Sequence, residues 1–411
     1  MTDKNRKTIA LFGLFGVNNI GNEATLAATV QAIKARFSFA NLIIVSEPPN
    51  AASGLGEFRT QMPHDVMPVA RCVQWIRFYW LREGCRGFLQ LLTEPLRWLR
   101  TRRLARGIDL LLIAGTGIAD DFYQGPFDVP HHLKRWCSAV RANGGSVKFL
   151  SIGAGPVDHP LSIRWFREAM NMADYRSYRE RSSHKFAMDI GIHAENDAVL
   201  PDMVFSLPVT DPELLRPVQW PPRTIGIGVM GYLGWNVNRE AGERIYAGYI
   251  EKLRLLVGEL IRRGHAVRLV VGTRGADQRP VTDLLAMPEF QAAVAAGSLV
   301  ASPMKSYLDV LADIAKTDLL IATRFHNVLF ALLLERPVVS IEYAAKNTDL
   351  MVEMGLGRYC HSIETFDPVT VLAQFDELKQ LPEAPLRVVR ERLGQYREAL
   401  EFQYDMLVTR K

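Results

Sequence analysis

The sequence predicts an α/β protein with two domains that face a cleft. Apolar runs of strand length alternate with helical patterns along most of the chain, which is typical of parallel sheets. Five prolines between residues 206 and 222 separate two such series, and proline resists the interiors of helices and sheets. A length of 411 residues suits two or three domains. Because ligands commonly bind between domains, the cleft is the predicted site.

The amino-terminal domain is predicted to span residues 1–205. Its first strand lies at 8–15 and its first helix at 23–37, where Leu26, Val30 and Ile33 recur at helical spacing. Further strands are predicted at 42–45, 109–114, 147–152 and 175–178.

After the proline-rich linker at 206–222, a carboxyl-terminal α/β domain is predicted over residues 223–380. A separate helix is predicted in the tail, 381–411. Gly264 is suited to end the long helix that precedes the second strand of this domain. The predicted strands are 224–229, 266–271, 318–322 and 338–341, and the predicted helices are 240–263, 307–315 and 324–334.

The composition is that of a globular protein. Hydrophobic residues make up 48% and charged residues 23%, which argues against disorder. Lys and Arg exceed Asp and Glu by 49 − 44 = 5, a surplus that permits an anionic ligand but does not indicate nucleic acid. The four cysteines form no C-x-x-C pair, and no apolar run approaches the ~20 residues of a spanning helix. We therefore expect a cytoplasmic protein that does not bind nucleic acid.

Residues 71–106 form a segment rich in arginine and tryptophan. It contains nine arginines, three tryptophans and only two acidic residues. Basic and aromatic helices of this kind bind anionic membrane surfaces, which would place the protein peripherally at the inner face of the membrane. The alternative is a pair of helices whose aromatic side chains enter the core and whose arginines are solvated.

A glycine-rich loop joins the first predicted strand to the first predicted helix. Glycine lets the backbone approach a ligand, Asn22 is a good helix N-cap, and helix N-termini bind anions. The loop does not contain the G-x-G-x-x-G fingerprint of dinucleotide sites, and a tight turn without a ligand explains it equally well. The candidate binding residues here are Gly16, Asn18, Asn19, Gly21, Asn22 and Glu23.

Two further glycine loops follow predicted strands, at Gly115 and Gly117 and at Gly153. Open α/β sheets bind ligands beyond the carboxyl ends of their strands. These three glycines are therefore binding candidates, although an ordinary tight loop has the same residues.

Arg324 and His326 lie where the strand at 318–322 passes into a helix that Thr323 is suited to cap. A cation at a helix N-terminus opposes the helix dipole at a cost of ~0.3–1 kcal/mol. Because both residues break the local charge preference, we expect an anion to neutralise them. The alternative is a solvated arginine and a half-buried histidine. Lys346 follows the next strand and is expected to point into the same cleft.

Arg179 follows the strand at 175–178, beside Glu180 and Arg181. One of these arginines is expected to bind an anion while the other pairs with Glu180. No cluster of His, Cys, Asp or Glu has metal-ligand spacing, so no metal and no cofactor are expected. The adjacent His131 and His132 are interpreted as the start of a helix.

These stretches, in this order, resemble the polysaccharide pyruvyl transferase family. Residues 16–23 are similar to its glycine-rich G-N-x-G-D-E start, with Asn22 in place of the aspartate. Residues 178–183 are similar to its R-D-E-x-S segment, with Glu180 in place of the aspartate. Arg324-Phe325-His326 matches its R-x-H, which is the most specific part of the resemblance.

The resemblance implies two Rossmann-like domains similar to the GT-B glycosyltransferase fold, with the acceptor on the amino-terminal domain and the donor on the carboxyl-terminal one. It implies phosphoenolpyruvate as donor. It implies as acceptor a sugar of a polysaccharide or of its lipid-linked repeat unit, on which the pyruvyl group forms a ketal. By this resemblance, Arg324 and Arg179 hold the donor's phosphate and carboxylate, His326 is the general acid, and Lys346 is a further cation.

The side chains suit this chemistry. Guanidinium forks bind carboxylate and phosphate through paired, charge-assisted hydrogen bonds. Protonation of the donor's methylene carbon makes C2 electrophilic, and histidine is the usual proton donor near neutral pH. The donor's negative charges would raise the pKa of His326, so we predict that donor binding protonates it.

Two other functions remain open. A GT-B glycosyltransferase that uses a nucleotide sugar would have the same architecture. Such enzymes, where they carry a ribose-binding carboxylate, place it about seven residues before a position equivalent to Pro337, and Phe330 in that slot cannot accept a hydrogen bond. The other function is a non-catalytic scaffold in polysaccharide assembly, because fold does not fix function.

Overall fold

The computed structural model describes most of the chain as two α/β units. The described backbone comprises residues 7–15, 19–46, 59–61, 79–119, 125–235, 237–380 and 383–407, and the side chains of 46, 59–61 and 79–91 are not described. Among these described residues, the first unit comprises those within 1–17, 25–203 and 400–411, and the second comprises those within 18–24 and 204–399. Each unit is a parallel sheet flanked by helices, so the prediction of two Rossmann-like domains is confirmed.

The first unit is built on a sheet whose described strands run in the order β3-β2-β1-β4-β5-β6-β7. Every residue of β4 is buried, as expected of a parallel strand covered on both faces. The strands are β1 (Thr8–Gly13), β2 (Asn41–Ser46), β3 (Arg59–Gln61), β4 (Leu110–Ala114), β5 (Ser146–Ile152), β6 (Tyr175–Tyr178) and β7 (Ala198–Val199). The helices are α1 (Ile20–Arg36), α2 (Tyr79–Leu104), α3 (Val129–Ala142), α4 (Pro160–Asn171) and α5 (Arg181–Asp189).

The second unit is built on a sheet whose described strands run in the order β10-β9-β8-β11-β12-β13. Its central strand, β11, is buried at every residue. The strands are β8 (Thr224–Gly228), β9 (Ala266–Val270), β10 (Leu299–Ala301), β11 (Leu319–Ala322), β12 (Val338–Glu342) and β13 (Cys360–Ser362). The helices are α6 (Arg239–Arg262), α7 (Gln278–Leu285), α8 (Gln291–Ala295), α9 (Tyr307–Ala315), α10 (Phe325–Leu333), α11 (Ala345–Glu353), α12 (Pro368–Gln380) and α13 (Glu383–Asp405).

Two of the passages between the units lie inside helices, at positions that the sequence does not mark, whereas the passage between Met203 and Val204 lies close to the predicted boundary. The first turn of α1 belongs to the second unit, whereas the rest of α1 belongs to the first. The last turns of α13, from Leu400, return to the first unit. The proline-rich stretch at 206–222 lies within the second unit, after the passage between Met203 and Val204. This division differs from the predicted boundaries because two of the passages occur inside continuous helices, whose apolar periodicity does not change there.

The described part of the arginine- and tryptophan-rich segment contains one helix, α2. Residues 71–78 lie outside the described part of the chain. Among the described side chains of α2, Leu92, Leu96 and Leu99 are exposed, whereas Arg97 is buried. None of the described helices is long and apolar enough to cross a membrane.

His131 and His132 lie in the first turn of α3, so the prediction of a helix start is confirmed. Both side chains are buried. Burial, together with the charge of Arg135, lowers the pKa of His131 to about 3. His131 is therefore neutral near pH 7.

Candidate functional site

Arg324 begins the helix that follows the central strand of the second sheet. β11 ends at Ala322, and Arg324 is the N-cap residue of α10, in an extended conformation. Thr323, the predicted cap, instead places its hydroxyl 2.9 Å from the hydroxyl of Tyr249. The predicted cap was therefore wrong by one residue. Within the described part of the chain no side chain caps α10, a condition in which helix N-termini bind anions.

The guanidinium of Arg324 forms a paired contact with Asp277. Nε lies 3.2 Å and 3.0 Å from the two carboxylate oxygens, and Nη2 lies 2.5 Å from Oδ1. Asp277 is fully buried, and the Arg324 side chain is 16% exposed. Burial disfavours the charge on Arg324, but the charge and hydrogen bonds of Asp277 outweigh it and raise the pKa of Arg324. The protein thus supplies an anion of its own to neutralise Arg324, which the sequence reasoning had assigned to a ligand.

Asp277 also accepts hydrogen bonds from three backbone N–H groups. Its carboxylate receives the N–H of Gly231, after β8, at 3.1 Å. It also receives the N–H groups of Gly272 and Thr273, after β9, at 2.9 Å and 2.8 Å. One carboxylate therefore connects Arg324 to the loops at the carboxyl ends of two neighbouring strands.

His326 lies against the first turn of α1. A β-carbon built on Gly21 would lie 2.0 Å from Nδ1 of His326, so this close approach requires glycine. The His326 ring also meets the ring of Phe325 edge to face, with the ring centroids 5.1 Å apart. The structure therefore brings together the glycine-rich loop and the Arg-x-His segment, which are far apart in the sequence.

Backbone contacts fix the first turn of α1 to the loop after β9. Asn19 forms an antiparallel bridge with Thr273, and the N–H of Ile20 donates to the carbonyl of Gly272 at 3.2 Å. The side-chain oxygen of Asn19 accepts the N–H of Gly21 at 3.0 Å. Asn19 thus shapes the turn that places Gly21 against the histidine.

Glu23 and Asn22 complete this first turn. Glu23 forms an ion pair with Arg274. Burial raises the pKa of Glu23, and Arg274 offsets this only in part.

Asn22 is buried inside the helix, which begins at Ile20, so the predicted N-cap role of Asn22 was wrong. The candidates Gly16 and Asn18 lie outside the described residues.

Lys346 reaches the same edge of the second sheet. It is the second residue of α11, which follows β12, the neighbour of β11. Its Nζ lies 4.9 Å from the ring centre of Tyr343 and 5.9 Å from that of Phe325. Cationic residues therefore begin two adjacent helices, and Phe325 connects Lys346 to the Arg324–His326 pair.

Asn327 is a buried amide beside this cluster. Its side chain is inaccessible to solvent, and neither Nδ2 nor Oδ1 has a hydrogen-bond partner among the described residues. β-carbons built on Gly228 and Gly272 would each lie 3.2 Å from one of these atoms. An unsatisfied buried polar group costs ~1–3 kcal/mol, so a water or a polar ligand group is expected there.

Arg179 lies in the first unit, in a buried cluster of charges. Its Nε donates to Glu180 at 2.7 Å and its Nη1 to Asp202 at 3.3 Å, and its side chain is 4% exposed. A β-carbon on Gly153 would lie 2.6 Å from Nη2. Because two carboxylates already surround one guanidinium, this arrangement favours a role in joining loops over direct binding of a second anion.

The glycine loops of the first unit pack against each other. The N–H of Gly153 donates to the carbonyl of Thr116 at 3.1 Å. Gly115 has a φ of +34° and lies close to the side chains of Thr25 and Met203. Gly117 is half-buried in the same turn. The described contacts of Gly115 and Gly153 are those of tight loops.

Sequence reasoning missed Asp277, Arg274 and Asn327. Arg274 lies in the loop after β9 and was detectable by the rule that ligand sites lie beyond strand ends. Asp277 begins α7, several residues further on, and no local pattern marks it as the partner of Arg324.

Among the described residues, no group of three His, Cys, Asp or Glu side chains is placed to hold a metal ion.

Solved structures of low sequence identity share this fold. A UDP-GlcNAc 2-epimerase from Neisseria meningitidis aligns with a TM-score of 0.58 at 12% identity, covering 98% of this chain and 99% of its own. A transferase from Siraitia grosvenorii in complex with UDP gives 0.54 at 12% identity, covering 98% and 100%. The sucrose-phosphate synthase of Thermosynechococcus elongatus gives 0.55 at 11% identity, covering 98% of each chain. At these identities the likeness shows the fold alone, that of GT-B proteins.

A search of curated protein sequences gave no match. A family model does match, and it covers most of the chain. The model for polysaccharide pyruvyl transferases aligns with residues 19–344, a range that includes the first turn of α1, Arg324 and His326. The chain therefore belongs to the polysaccharide pyruvyl transferase family.

Proposed function

We propose that this protein transfers the pyruvyl group of phosphoenolpyruvate to two hydroxyls of a sugar, forming a ketal and releasing phosphate. The sugar belongs to a polysaccharide or to its lipid-linked repeat unit. The observation that carries the proposal is the packing of His326 against Gly21, beside the N-termini of α10 and α11. This arrangement combines a proton donor with a site for a small anion.

Three features of the second unit favour an anionic donor. The N-termini of α10 and α11 offer N–H groups and the positive ends of two helix dipoles. Lys346 adds a positive charge. The helix dipole does not favour a lysine in the first turn of a helix, so this position is favourable only when an anion is present. Arg324 adds a guanidinium whose orientation Asp277 fixes. The phosphate and carboxylate of phosphoenolpyruvate match these groups.

Asn327 supports the same assignment. Its buried amide lacks a partner among the described residues, and it lies in the first turn of α10. A phosphate or carboxylate oxygen can accept a hydrogen bond from Nδ2, which removes the cost of the unsatisfied donor.

The proposed reaction proceeds through two additions to C2 of the donor. His326, as imidazolium, transfers a proton to the methylene carbon, which becomes a methyl group, and C2 gains oxocarbenium character. A sugar hydroxyl attacks C2 and loses its proton, and the bond from C2 to the phosphate oxygen then breaks. A second hydroxyl attacks C2, and its proton leaves as the ketal closes. One hydroxyl proton restores the imidazolium of His326, and the other leaves with the phosphate. The proposed reaction therefore balances without a cofactor.

The principal alternative is transfer from a nucleotide sugar, which the fold would permit. Phe330 occupies the position expected for a ribose-binding carboxylate, and it is completely buried. It therefore offers a ligand neither a charge nor a hydrogen-bond acceptor, which favours phosphoenolpyruvate as donor.

Phosphate release tests the proposed function. We would incubate the full-length protein with phosphoenolpyruvate and a panel of glycolipid acceptors, using sugar nucleotides as control donors. We expect acceptor-dependent phosphate release that His326→Ala and Arg324→Ala each reduce by orders of magnitude while circular dichroism stays unchanged. Sugar transfer from a nucleotide would instead support a glycosyltransferase. Full function of both variants in polysaccharide assembly would support a scaffold.

We also propose that the protein works on the cytoplasmic side of the membrane and contacts anionic lipids there peripherally. The exposed leucines of α2 support this proposal, because they combine with arginines on the same helix. Such a contact would bring the enzyme to a lipid-linked acceptor.

A further inference from the structure

The second unit contains a cavity of about 370 Å³ whose described lining does not include Arg324, His326 or Lys346. Small-molecule sites commonly have volumes of ~300–1,000 Å³. The cavity lies among the loops that follow β8, β12 and β13, at the carboxyl edge of the sheet. Its lining includes Tyr232, Trp235, Glu342, Tyr343, Asp349 and Glu364.

Two aromatic rings form one part of the cavity lining. The rings of Trp235 and Tyr343 lie nearly parallel, with an interplanar angle of 16° and their centroids 6.5 Å apart. Nε1 of Trp235 donates to the carbonyl of Tyr343 at 2.9 Å, which fixes the indole. A rigid aromatic face of this kind packs against the C–H groups on one face of a sugar ring at little cost in conformational entropy.

Three carboxylates, from Glu342, Asp349 and Glu364, also line the cavity. Glu364 accepts the hydroxyl of Tyr232 at 2.7 Å, and Glu342 accepts that of Thr348 at 2.5 Å. Each carboxylate has two oxygens with several acceptor sites, so both can accept further hydroxyl groups. Among the described residues that line the cavity there is no lysine and no arginine.

We propose that this cavity is a sugar-binding subsite, and that it selects a neutral or amino hexopyranose over an acidic sugar. A pyranose presents C–H groups to an aromatic ring and hydroxyls to carboxylates, whereas the three negative charges repel a uronate or a phosphate. Tyr343 lines the cavity and also carries Lys346 over its ring, so a bound sugar lies next to the donor cations. The assignment of this sugar as the acceptor depends on the proposed function, and it places an acceptor subsite on the second unit rather than on the amino-terminal domain.

Saturation-transfer NMR on the full-length protein tests the subsite without any donor. The probes are the methyl glycosides of galactose, glucose and mannose, with methyl glucuronide and UMP as comparisons. We expect transfer to at least one neutral glycoside and a signal at least fivefold weaker for glucuronide. Trp235→Ala should abolish transfer to the neutral glycoside. Trp165→Ala, which removes a half-buried tryptophan in the first unit, should leave it unchanged. Transfer to UMP alone, or to none of the probes, would overturn the proposal.

A second variant tests selectivity and separates the subsite from the donor chemistry. Glu342→Gln keeps the size of the side chain and removes one negative charge, so the preference for the neutral glycoside over the glucuronide should fall at least threefold. An unchanged preference would argue against the carboxylates as the selective element. If glycosides bind as expected but phosphoenolpyruvate is never turned over, the subsite stands and the proposed function fails. If turnover occurs but Trp235→Ala leaves the acceptor KM unchanged, the subsite fails alone.

Discussion

The carboxylate of Asp277 holds the guanidinium of Arg324 through both Nε and Nη2. The same carboxylate receives the N–H groups of Gly231, Gly272 and Thr273. The position of Arg324 therefore depends on two loops as well as on its own helix. Asp277 is consequently a positioning residue for the proposed donor site, although no contact with a substrate is assigned to it.

Replacing Asp277 with asparagine should damage both stability and donor binding. Removal of one partner from a buried ion pair costs ~3–5 kcal/mol, so we expect Asp277→Asn to lower the free energy of unfolding by about that amount in urea titrations. Because Arg324 loses its fixed orientation, the KM for phosphoenolpyruvate should rise at least tenfold.

The matched control is Glu243→Gln, at the Arg279–Glu243 pair. The two side chains of that pair are 46% and 43% exposed, and exposed ion pairs contribute little. Similar losses in both variants would show that Asp277 has no special role in positioning Arg324.

A methyl group on Gly21 should displace the imidazole of His326. The added β-carbon would lie 2.0 Å from Nδ1, so either the ring or the first turn of α1 must move. We expect Gly21→Ala to reduce phosphate release at least a hundredfold. Gly248→Ala is the control, since a β-carbon at this exposed helical position meets no atom within 4 Å. Equal activity of the two variants would show that the contact between Gly21 and His326 is not required.

Arg324 could be identified as a candidate from the sequence, whereas its partner Asp277 could not. The apolar runs of β8, β9, β11 and β12 revealed the strands, and strand ends located Arg324, His326 and Lys346. The local sequence does not encode the ion pair, because its partners lie on different loops that meet only in the folded sheet. The contact between Gly21 and His326 was equally invisible, since α1 changes units within a continuous helix. Sequence patterns thus predicted the candidate residues, whereas only the folded structure shows which of them are in contact.

Donor binding should raise the pKa of His326. The negative charges of phosphoenolpyruvate favour the imidazolium, so in an NMR titration the midpoint of His326 should move to higher pH when the donor is added. If the imidazolium supplies the proton, the rate should fall as pH rises above that midpoint. His265, which lies just before β9, is an internal reference. Its Nδ1 is 3.1 Å from the carbonyl oxygen of Pro222, and burial lowers its pKa. An unchanged midpoint for His326, or equal shifts of both histidines, would contradict direct contact with the donor.

Lys346 should contribute to donor binding and not to folding. A lysine in the first turn of a helix opposes the helix dipole, and this offsets the cation–π contact of Lys346 with the Tyr343 ring, so Lys346→Met should leave the unfolding midpoint nearly unchanged. The same change removes a positive charge beside the donor, and the KM for phosphoenolpyruvate should rise at least tenfold with a smaller effect on kcat. Lys305→Met, at an exposed loop position of the same unit, should alter neither quantity. A loss of stability without a change in KM would assign Lys346 a structural role.

The exposed face of α2 should bind anionic membranes. Leu92, Leu96 and Leu99 recur at helical spacing and are 61%, 57% and 48% exposed, and Arg100 and Arg103 lie exposed on the same helix. Apolar insertion and attraction to anionic lipid therefore act together. We expect the protein to co-sediment with vesicles that contain phosphatidylglycerol at low salt, and less so at high salt because salt screens the attraction. Leu96→Glu should weaken this binding at least fivefold, whereas Leu255→Glu, at a 46% exposed leucine on α6, should not. If the protein fails to co-sediment at low salt, α2 is not a membrane-binding helix.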